Sequence, residues 1–393
     1  MGRQAGKHFL QIPGPSNVPD RVLRAIDNAT IDHRGGSFAE MAKECLNGLK
    51  PIFQTSGPVI IYPSSATGAW EAALVNTLNA GDRVLAFETG HFATLWARVA
   101  CNLGLRVDLR PGDWRHGVSA AELAMILEED REHEIRAVMV VHCETSSGVV
   151  SDIAAVRDAM DDARHPALLL VDAVSSLGAI DYRHDEWGVD VTVSGSQKGL
   201  MLPPGLSFNA LGQRALEASR HSTLPKSYWR WTEMLENNER GFFPYTPATN
   251  LLYGLREALC MMQEEGLPQV FARHARLAEA ARCAVRAWEL EMAPLEPAEY
   301  SNVLTAVLMP PGFDERALRA LVLERFNLSL GSGLGKLTGR AFRIGHLGDL
   351  NELMLTGTLC GIEMGLALSN IPHKEGGVVA ALQYLTEDAQ TKS

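Results

Sequence analysis

The sequence has no pair of cysteines at CxxC spacing. Its six cysteines, Cys45, Cys101, Cys143, Cys260, Cys283 and Cys360, are scattered along the chain. That argues against a zinc site and against a disulfide framework, so they read as reduced residues of a cytoplasmic protein. His142-Cys143-Glu144 groups three metal-ligand types. Neighbours along a strand point to opposite faces, however, and no metal is expected there. No uninterrupted apolar run approaches the ~20 residues needed to cross a bilayer. Met1-Gly2-Arg3-Gln4-Ala5 lacks the apolar core of a secretory signal, and Thr391-Lys392-Ser393 is not a peroxisomal tail of the Ser-Lys-Leu kind. Basic charge is in deficit: 36 Lys and Arg stand against 47 Asp and Glu, a net charge of −11. Neither nucleic acid nor an anionic membrane is the expected partner of such a chain. A GxGxxG after the first strand is missing, as is a Walker lysine, which counts against a nicotinamide cofactor and against a nucleotide. Internal repeats and low-complexity segments are absent too.

What remains is an ordinary globular balance, 46% hydrophobic and 21% charged, in 393 residues. That length predicts two domains. Residues 1–20 read as an N-terminal arm, because the prolines in Ile12-Pro13-Gly14-Pro15-Ser16-Asn17-Val18-Pro19 exclude a helix. The arm must lie on its own domain or on a partner subunit. From 21 to 265, strands and helices alternate. Strands are predicted at 58–62, 83–87, 106–109, 137–141, 167–171 and 190–194. Helices are predicted at about 20–28, 37–53, 69–79, 92–103, 120–129 and 152–163, with Ser119 and Glu122 at capping-box spacing and Ser151 as a further cap. Continuous apolar strands such as Ala137-Val138-Met139-Val140-Val141 predict a mostly parallel sheet covered on both faces, an α/β fold. The aromatic-rich stretch 227–250 reads as irregular. Helices follow at about 249–265 and 268–290. Residues 266–393 mix strands at 302–309 and 342–345 with helices at 314–325 and 349–368, the last read as the final one. This end predicts a smaller α+β domain.

Ligands bind such sheets beyond the carboxyl ends of the strands, so the residues there matter most. Strand 58–62 runs into Ser64-Ser65-Ala66-Thr67-Gly68 and a helix, where backbone N–H groups and the Ser65 and Thr67 hydroxyls suit a phosphate or simply cap the helix. Strand 137–141 ends in His142-Cys143-Glu144-Thr145-Ser146-Ser147-Gly148, either a set of donors for a ligand or a polar turn around a glutamate held by amides. Strand 167–171 ends in Asp172, a carboxylate costly to bury unless it is paired. Strand 190–194 leads through Gly195-Ser196-Gln197 to Lys198, whose burial would favour the neutral amine. A phosphate cradle, hydroxyl donors, a buried carboxylate and an amine together match one cofactor, pyridoxal 5′-phosphate.

These residues also carry a resemblance. Pro13 to Pro19, Thr67 to Leu74, His142-Cys143-Glu144-Thr145, Val171 to Ser176, Asp185 to Asp190, Gly195-Ser196-Gln197-Lys198-Gly199, Pro244-Tyr245-Thr246-Pro247 and Phe342 to Gly348 resemble the class V, fold type I pyridoxal-phosphate aminotransferases. Within them the chain is similar to the serine–glyoxylate and alanine–glyoxylate branch, nearly end to end. The resemblance implies that Lys198 carries the cofactor covalently and moves the substrate proton. Asp172 would pair with the pyridine nitrogen and Val174 pack under the ring. Ser65, Ala66, Thr67 and Gln197 would hold the phosphate, and Thr145 would reach the ring oxygen or the carboxyl region. Phe92 would stack on the ring, where some relatives use tryptophan. Tyr245 and Thr246 would reach the phosphate of a neighbouring subunit's cofactor, implying a homodimer or homotetramer. Arg343 would clamp the substrate carboxylate, with Gly14 also on the substrate side. The implied reaction moves the amino group of a small amino acid, serine first and alanine or aspartate as alternatives, to the 2-oxo acid glyoxylate. A desulfurase needs a mobile cysteine, which 331–339 lacks. A lyase on this fold remains a rival reading.

Overall fold

The computed structural model describes residues 5–391; the readings at Met1–Gln4 and at Lys392-Ser393 lie outside the described residues. β1 (Phe9–Gln11) belongs to the arm. The large sheet follows, with β2 (Val59–Tyr62), β3 (Arg83–Phe87), β4 (Arg106–Arg110), β5 (Ile135–Val141), β6 (Leu168–Asp172), β7 (Val191–Gly195) and β8 (Ser207–Leu211). Among the described residues it is seven-stranded, in the order β2-β8-β7-β6-β5-β3-β4. β8 runs antiparallel to both its neighbours, and the other pairings are parallel. Strand alternation builds a core on each face. On β5, Val138 and Val140 join Leu169 and Val171 of β6 on one side. Ala137, Met139 and Val141 join Leu168 and Leu170 on the other. A strand covered on both faces favours apolar residues at successive positions, which is why 137–141 of β5 and 168–171 of β6 read as hydrophobic runs.

Most predicted elements are present within a residue or two, and the differences have physical reasons. The helix expected from residue 69 begins at Ala66, spanning Ala66–Thr77, with Ser65 as its N-cap. Gly68 is therefore helical; a Cβ there would lie 2.7 Å from the Trp229 ring, so packing and not a turn requires it. Ser151 does not cap the helix Ile153–Asp162. Asp152 does, accepting from the Ala155 N–H at 3.0 Å, and the Ser151 hydroxyl accepts from the Val118 N–H instead. The stretch 227–250 is not wholly irregular: Trp231–Asn238 is a helix that buries Trp231 and Met234. β8 and the helix Gln213–Ser219 were also unforeseen. The helix Glu352–Leu368 is not the last one either, since Gly377–Thr391 follows it.

Beyond the long helices Thr249–Glu265 and Leu267–Ala287, β9 (Leu304–Leu308) pairs antiparallel with β11 (Ala341–Gly345). β10 (Leu328–Leu330) pairs in parallel with β1, so the arm lies on its own chain. These strands share an apolar core with the helices Leu267–Ala287 and Glu352–Leu368, including Trp288, Phe342, Leu355 and Leu359. The arm then crosses to the large sheet. The Ser16 N–H donates to the Gln197 carbonyl at 2.9 Å and the Ser16 hydroxyl to the Lys198 carbonyl at 2.9 Å. No helix among the described residues is long and apolar enough to cross a membrane.

Candidate active site

The carboxyl ends of β2, β5, β6 and β7 open into a cavity of about 260 Å3. Gly14 and Pro15 of the arm line it. So do Ser65, Ala66 and Thr67 at the start of a helix, Phe92 and Thr145, Asp172 and Val174 after β6, and Gln197 and Lys198 after β7. Ten of the residues singled out in the sequence therefore meet in one place: Gly14, Ser65, Ala66, Thr67, Phe92, Thr145, Asp172, Val174, Gln197 and Lys198. Arg343, Tyr245 and Thr246 do not line it.

Lys198 is 7% exposed, and its Nζ donates to the Pro13 carbonyl. Burial, reinforced by the positive charge of Arg343, lowers its pKa to about 8 from 10.5. Gly14 makes the approach of the arm feasible. Its φ is +116°, and a Cβ there would lie 2.5 Å from Lys198 Cδ and Cε. Asp172 is 3% exposed; Oδ1 accepts from the Val174 N–H at 2.7 Å and Oδ2 from Trp70 Nε1 at 2.9 Å. Burial pushes its pKa up to about 7, with the charge of Glu144 adding and the Val174 and Trp70 N–H groups opposing. An amine and a carboxyl that titrate near neutrality, on neighbouring strand ends, are suited to proton transfer.

The depressed lysine gives a direct prediction. Only the neutral amine is nucleophilic. Acylation of Lys198 in the ligand-free protein by a small amine-directed reagent should rise with a midpoint near pH 8, read by peptide mass spectrometry. A midpoint near 10.5 would contradict the burial argument. The linkage sign is also fixed. The folded chain releases this proton at about pH 8 and the unfolded chain at 10.5, so Lys198 adds stability as pH rises between those values.

Arg343, on β11, is 7% exposed, and burial lowers its pKa to about 10. Its Nε donates to the Ser332 carbonyl at 2.7 Å and its Nη1 to the Thr145 carbonyl at 2.6 Å. Among the described residues no carboxylate lies within 4.0 Å of its guanidinium, and no cation lies within that distance of Asp172. A buried cation and a buried anion without ion-pair partners are expensive unless a ligand of opposite charge completes them. Ser65 caps the helix Ala66–Thr77 without a side-chain hydrogen bond; the Gly68 N–H donates to the Ser65 carbonyl at 2.9 Å, and the helix start at Ser65, Ala66 and Thr67 borders the cavity. These residues fit pyridoxal phosphate: a helix N-terminus for the phosphate, a carboxylate for the ring nitrogen, an amine for the aldehyde.

Sequence reasoning missed Trp70, which orients Asp172. It stands four residues after Ala66 and three after Thr67, on the same helix face, and that spacing was the available signal. Glu144 is fully buried and takes the second of its two readings, a glutamate held by amides. Its carboxylate accepts from the N–H groups of Phe92, Ala93 and Ser146 and from the Ser146 hydroxyl. It thereby caps the helix His91–Asn102 and fixes Phe92 at the cavity wall. Tyr245 stacks on Tyr228, with ring centroids 4.7 Å apart, and Thr246 is exposed.

Comparison with known proteins agrees with this chemistry. Residues 8–334 match the family model described as aminotransferase class-V. A serine–glyoxylate aminotransferase of Methylorubrum extorquens is 46% identical, over 100% of this chain and 99% of that protein. An L-aspartate–glyoxylate aminotransferase of Paracoccus denitrificans is 43% identical, over 95% of this chain and 94% of that protein. Among solved structures, pyridoxamine-pyruvate aminotransferase of Mesorhizobium loti superposes with a TM-score of 0.91 at 27% identity, covering 98% of each chain.

Proposed function

Because the chain belongs to the class-V aminotransferases, fold type I enzymes that use pyridoxal 5′-phosphate, we propose that it transfers the amino group of L-serine to glyoxylate. The products are hydroxypyruvate and glycine, released in ping-pong order. The observation that carries the chemistry is the buried amine of Lys198 beside the buried carboxyl of Asp172 in one cavity. Serine as donor is supported by the full-length similarity to a protein named for that reaction.

The cofactor, when bound, supplies an aldehyde for the lysine and an electron-withdrawing ring that acidifies the α-C–H bond of an amino acid. The chain supplies the rest. Lys198 takes the α-proton at Nζ and returns it, as general base and then general acid. Asp172 presents negative charge to the ring nitrogen, and Trp70 and Val174 hold its carboxylate in place. Ser65, Ala66 and Thr67 bind the phosphate at the helix N-terminus, with Gln197 beside them. Phe92 and Val174 form apolar walls, and Thr145 contributes a hydroxyl at the ring. Arg343 takes the substrate carboxylate, with Gly14 bordering it.

We assign Tyr245 and Thr246 to the phosphate site of a second copy, in a homodimer or homotetramer. Their position away from this chain's own cavity supports that assignment. The separate apolar core around Trp288 and Phe342 supports a small domain beginning near 266, after a large domain of 21–265 and the arm of 1–20. Six free cysteines are consistent with a cytoplasmic location.

The test is a donor panel. With glyoxylate as acceptor, serine should give a higher kcat/KM than alanine or aspartate. Absence of turnover with serine, or a clear preference for aspartate, would overturn the donor assignment while leaving the transaminase chemistry intact.

A further inference from the structure

The segment that positions Arg343 is itself tied down at its tip. Residues 331–339 carry glycines at 331, 333, 335 and 339, so this loop has unusual backbone freedom. Its base closes on Arg343. Gly331 and Arg343 exchange backbone hydrogen bonds at 2.8 and 2.9 Å, and the Ser332 carbonyl accepts from Arg343 Nε at 2.7 Å. Its tip, the turn Gly335–Leu337, reaches the large sheet. There Lys336 Nζ lies 2.7 Å from Glu88 Oε1, 3.2 Å from the Gly112 carbonyl and 5.4 Å from the centroid of the Trp114 ring. Trp114 Nε1 donates to the same Glu88 oxygen at 3.1 Å. Leu337 packs with Trp114 and Ala341. Gly335, with φ +52°, lets the turn press so close that a Cβ would stand 2.5 Å from Trp114.

Glu88 and Trp114 follow β3 and β4, so the contact joins the loop directly to the edge of the sheet that carries the cavity. Burial raises the Glu88 pKa, but Lys336 and Trp114 outweigh it and the carboxyl stays below its ordinary range. An isolated surface ion pair contributes little. Here the ammonium has a carboxylate, a carbonyl and an aromatic face at once, and the carboxylate has a second donor.

We propose that Lys336, Glu88 and Trp114 form a latch that positions Arg343 for the substrate carboxylate. The proposal rests on the reading of Arg343 as the carboxylate clamp. The three are positioning residues: none lines the cavity, and their effect passes through the Ser332 carbonyl to the guanidinium. Releasing the latch gives the glycine loop back its freedom and loosens the Ser332 carbonyl on Arg343 Nε, so the guanidinium pivots on its remaining contact with the Thr145 carbonyl. Donor and acceptor both carry a carboxylate, so affinity for both falls together. Proton transfer by Lys198 is untouched once substrate is bound.

The experiment measures kcat and KM for serine and for glyoxylate in K336M, E88Q, the double variant K336M/E88Q, K336R and R343A. Cofactor absorbance and thermal midpoint are recorded for each. K336M and E88Q should each raise both KM values about fivefold, with kcat and absorbance unchanged. The double variant should match either single one, since the second change removes a contact already lost. K336R, which keeps charge and ring contact, should stay within about twofold of the parent. If R343A raises both KM values but K336M and E88Q do not, the latch is wrong and the clamp stands. If R343A leaves both KM values unchanged, the clamp reading fails and the latch with it. A fall in kcat, or a changed absorbance, in K336M would also overturn the latch, because general loosening and not carboxylate positioning would then be the cause.

Discussion

Lys198→Ala should abolish transamination, with a loss in kcat of at least about 10⁴-fold, while the protein stays folded. Two functions disappear with one side chain, the covalent hold on the cofactor and the proton carrier. The absorbance band of the lysine-bound cofactor should vanish as well. Stability should barely change. Burial disfavours the ammonium form strongly enough to bring the pKa to about 8, so at pH 7 the wild-type chain carries a charged group in an environment that penalises it. Its side-chain hydrogen bond to the Pro13 carbonyl is lost, but the arm keeps both Ser16 contacts to the same loop. The thermal midpoint should therefore move by only a few degrees. Added small primary amines should restore part of the proton transfer at a rate set by amine size and basicity. Retention of more than about 1% of wild-type kcat without added amine would rule Lys198 out as the base.

Asp172→Asn should lower kcat by about 10²- to 10⁴-fold, more than its effect on either KM. The amide has the same volume, so packing is not the reason. In the parent both carboxylate oxygens accept N–H donors, from Val174 and from Trp70. Whichever way an asparagine turns, its NH2 faces one of those donors and a buried hydrogen bond is lost. The negative charge opposite the ring nitrogen goes with it. Asp172→Glu keeps the charge but displaces it by one methylene and should recover activity only partly. A D172N variant with wild-type kcat would show that this carboxylate has no part in the chemistry.

The parts of the site that lie at strand ends were legible because the strands themselves are. β5 and β6 are buried on both faces and apolar over 137–141 and 168–171, and β7 alternates Val191 and Val193 with the small polar Thr192 and Ser194, so the larger polar residues just beyond these runs stand out. Asp172, Thr145 and Lys198 were found that way. β8 was not, because Ser207-Phe208-Asn209-Ala210-Leu211 buries two polar side chains in a central strand. Asn209 is satisfied there by the Tyr62 hydroxyl and the Ala69 carbonyl, partners that no local pattern predicts. The helix Trp231–Asn238 was hidden by its aromatic neighbours, although Trp231, Met234 and Leu235 have helical spacing. Trp70, Glu144 and Lys336 were legible only as residues, not as roles. Each acts through a partner distant in sequence: Trp70 on Asp172, Glu144 on Phe92, Lys336 on Glu88. The arm was read as extended, and Phe9–Gln11 is a strand, but only the fold shows that it pairs with β10 and seats Pro13 on the lysine.

The most direct test of the account is a half-reaction. Cofactor-loaded protein is mixed with L-serine in the absence of glyoxylate, and hydroxypyruvate is counted per chain. Close to one equivalent should form and then stop, and later addition of glyoxylate should release an equal amount of glycine. Release of ammonia with pyruvate would mean a lyase, and no hydroxypyruvate until glyoxylate is present would contradict the ping-pong transfer through a single site.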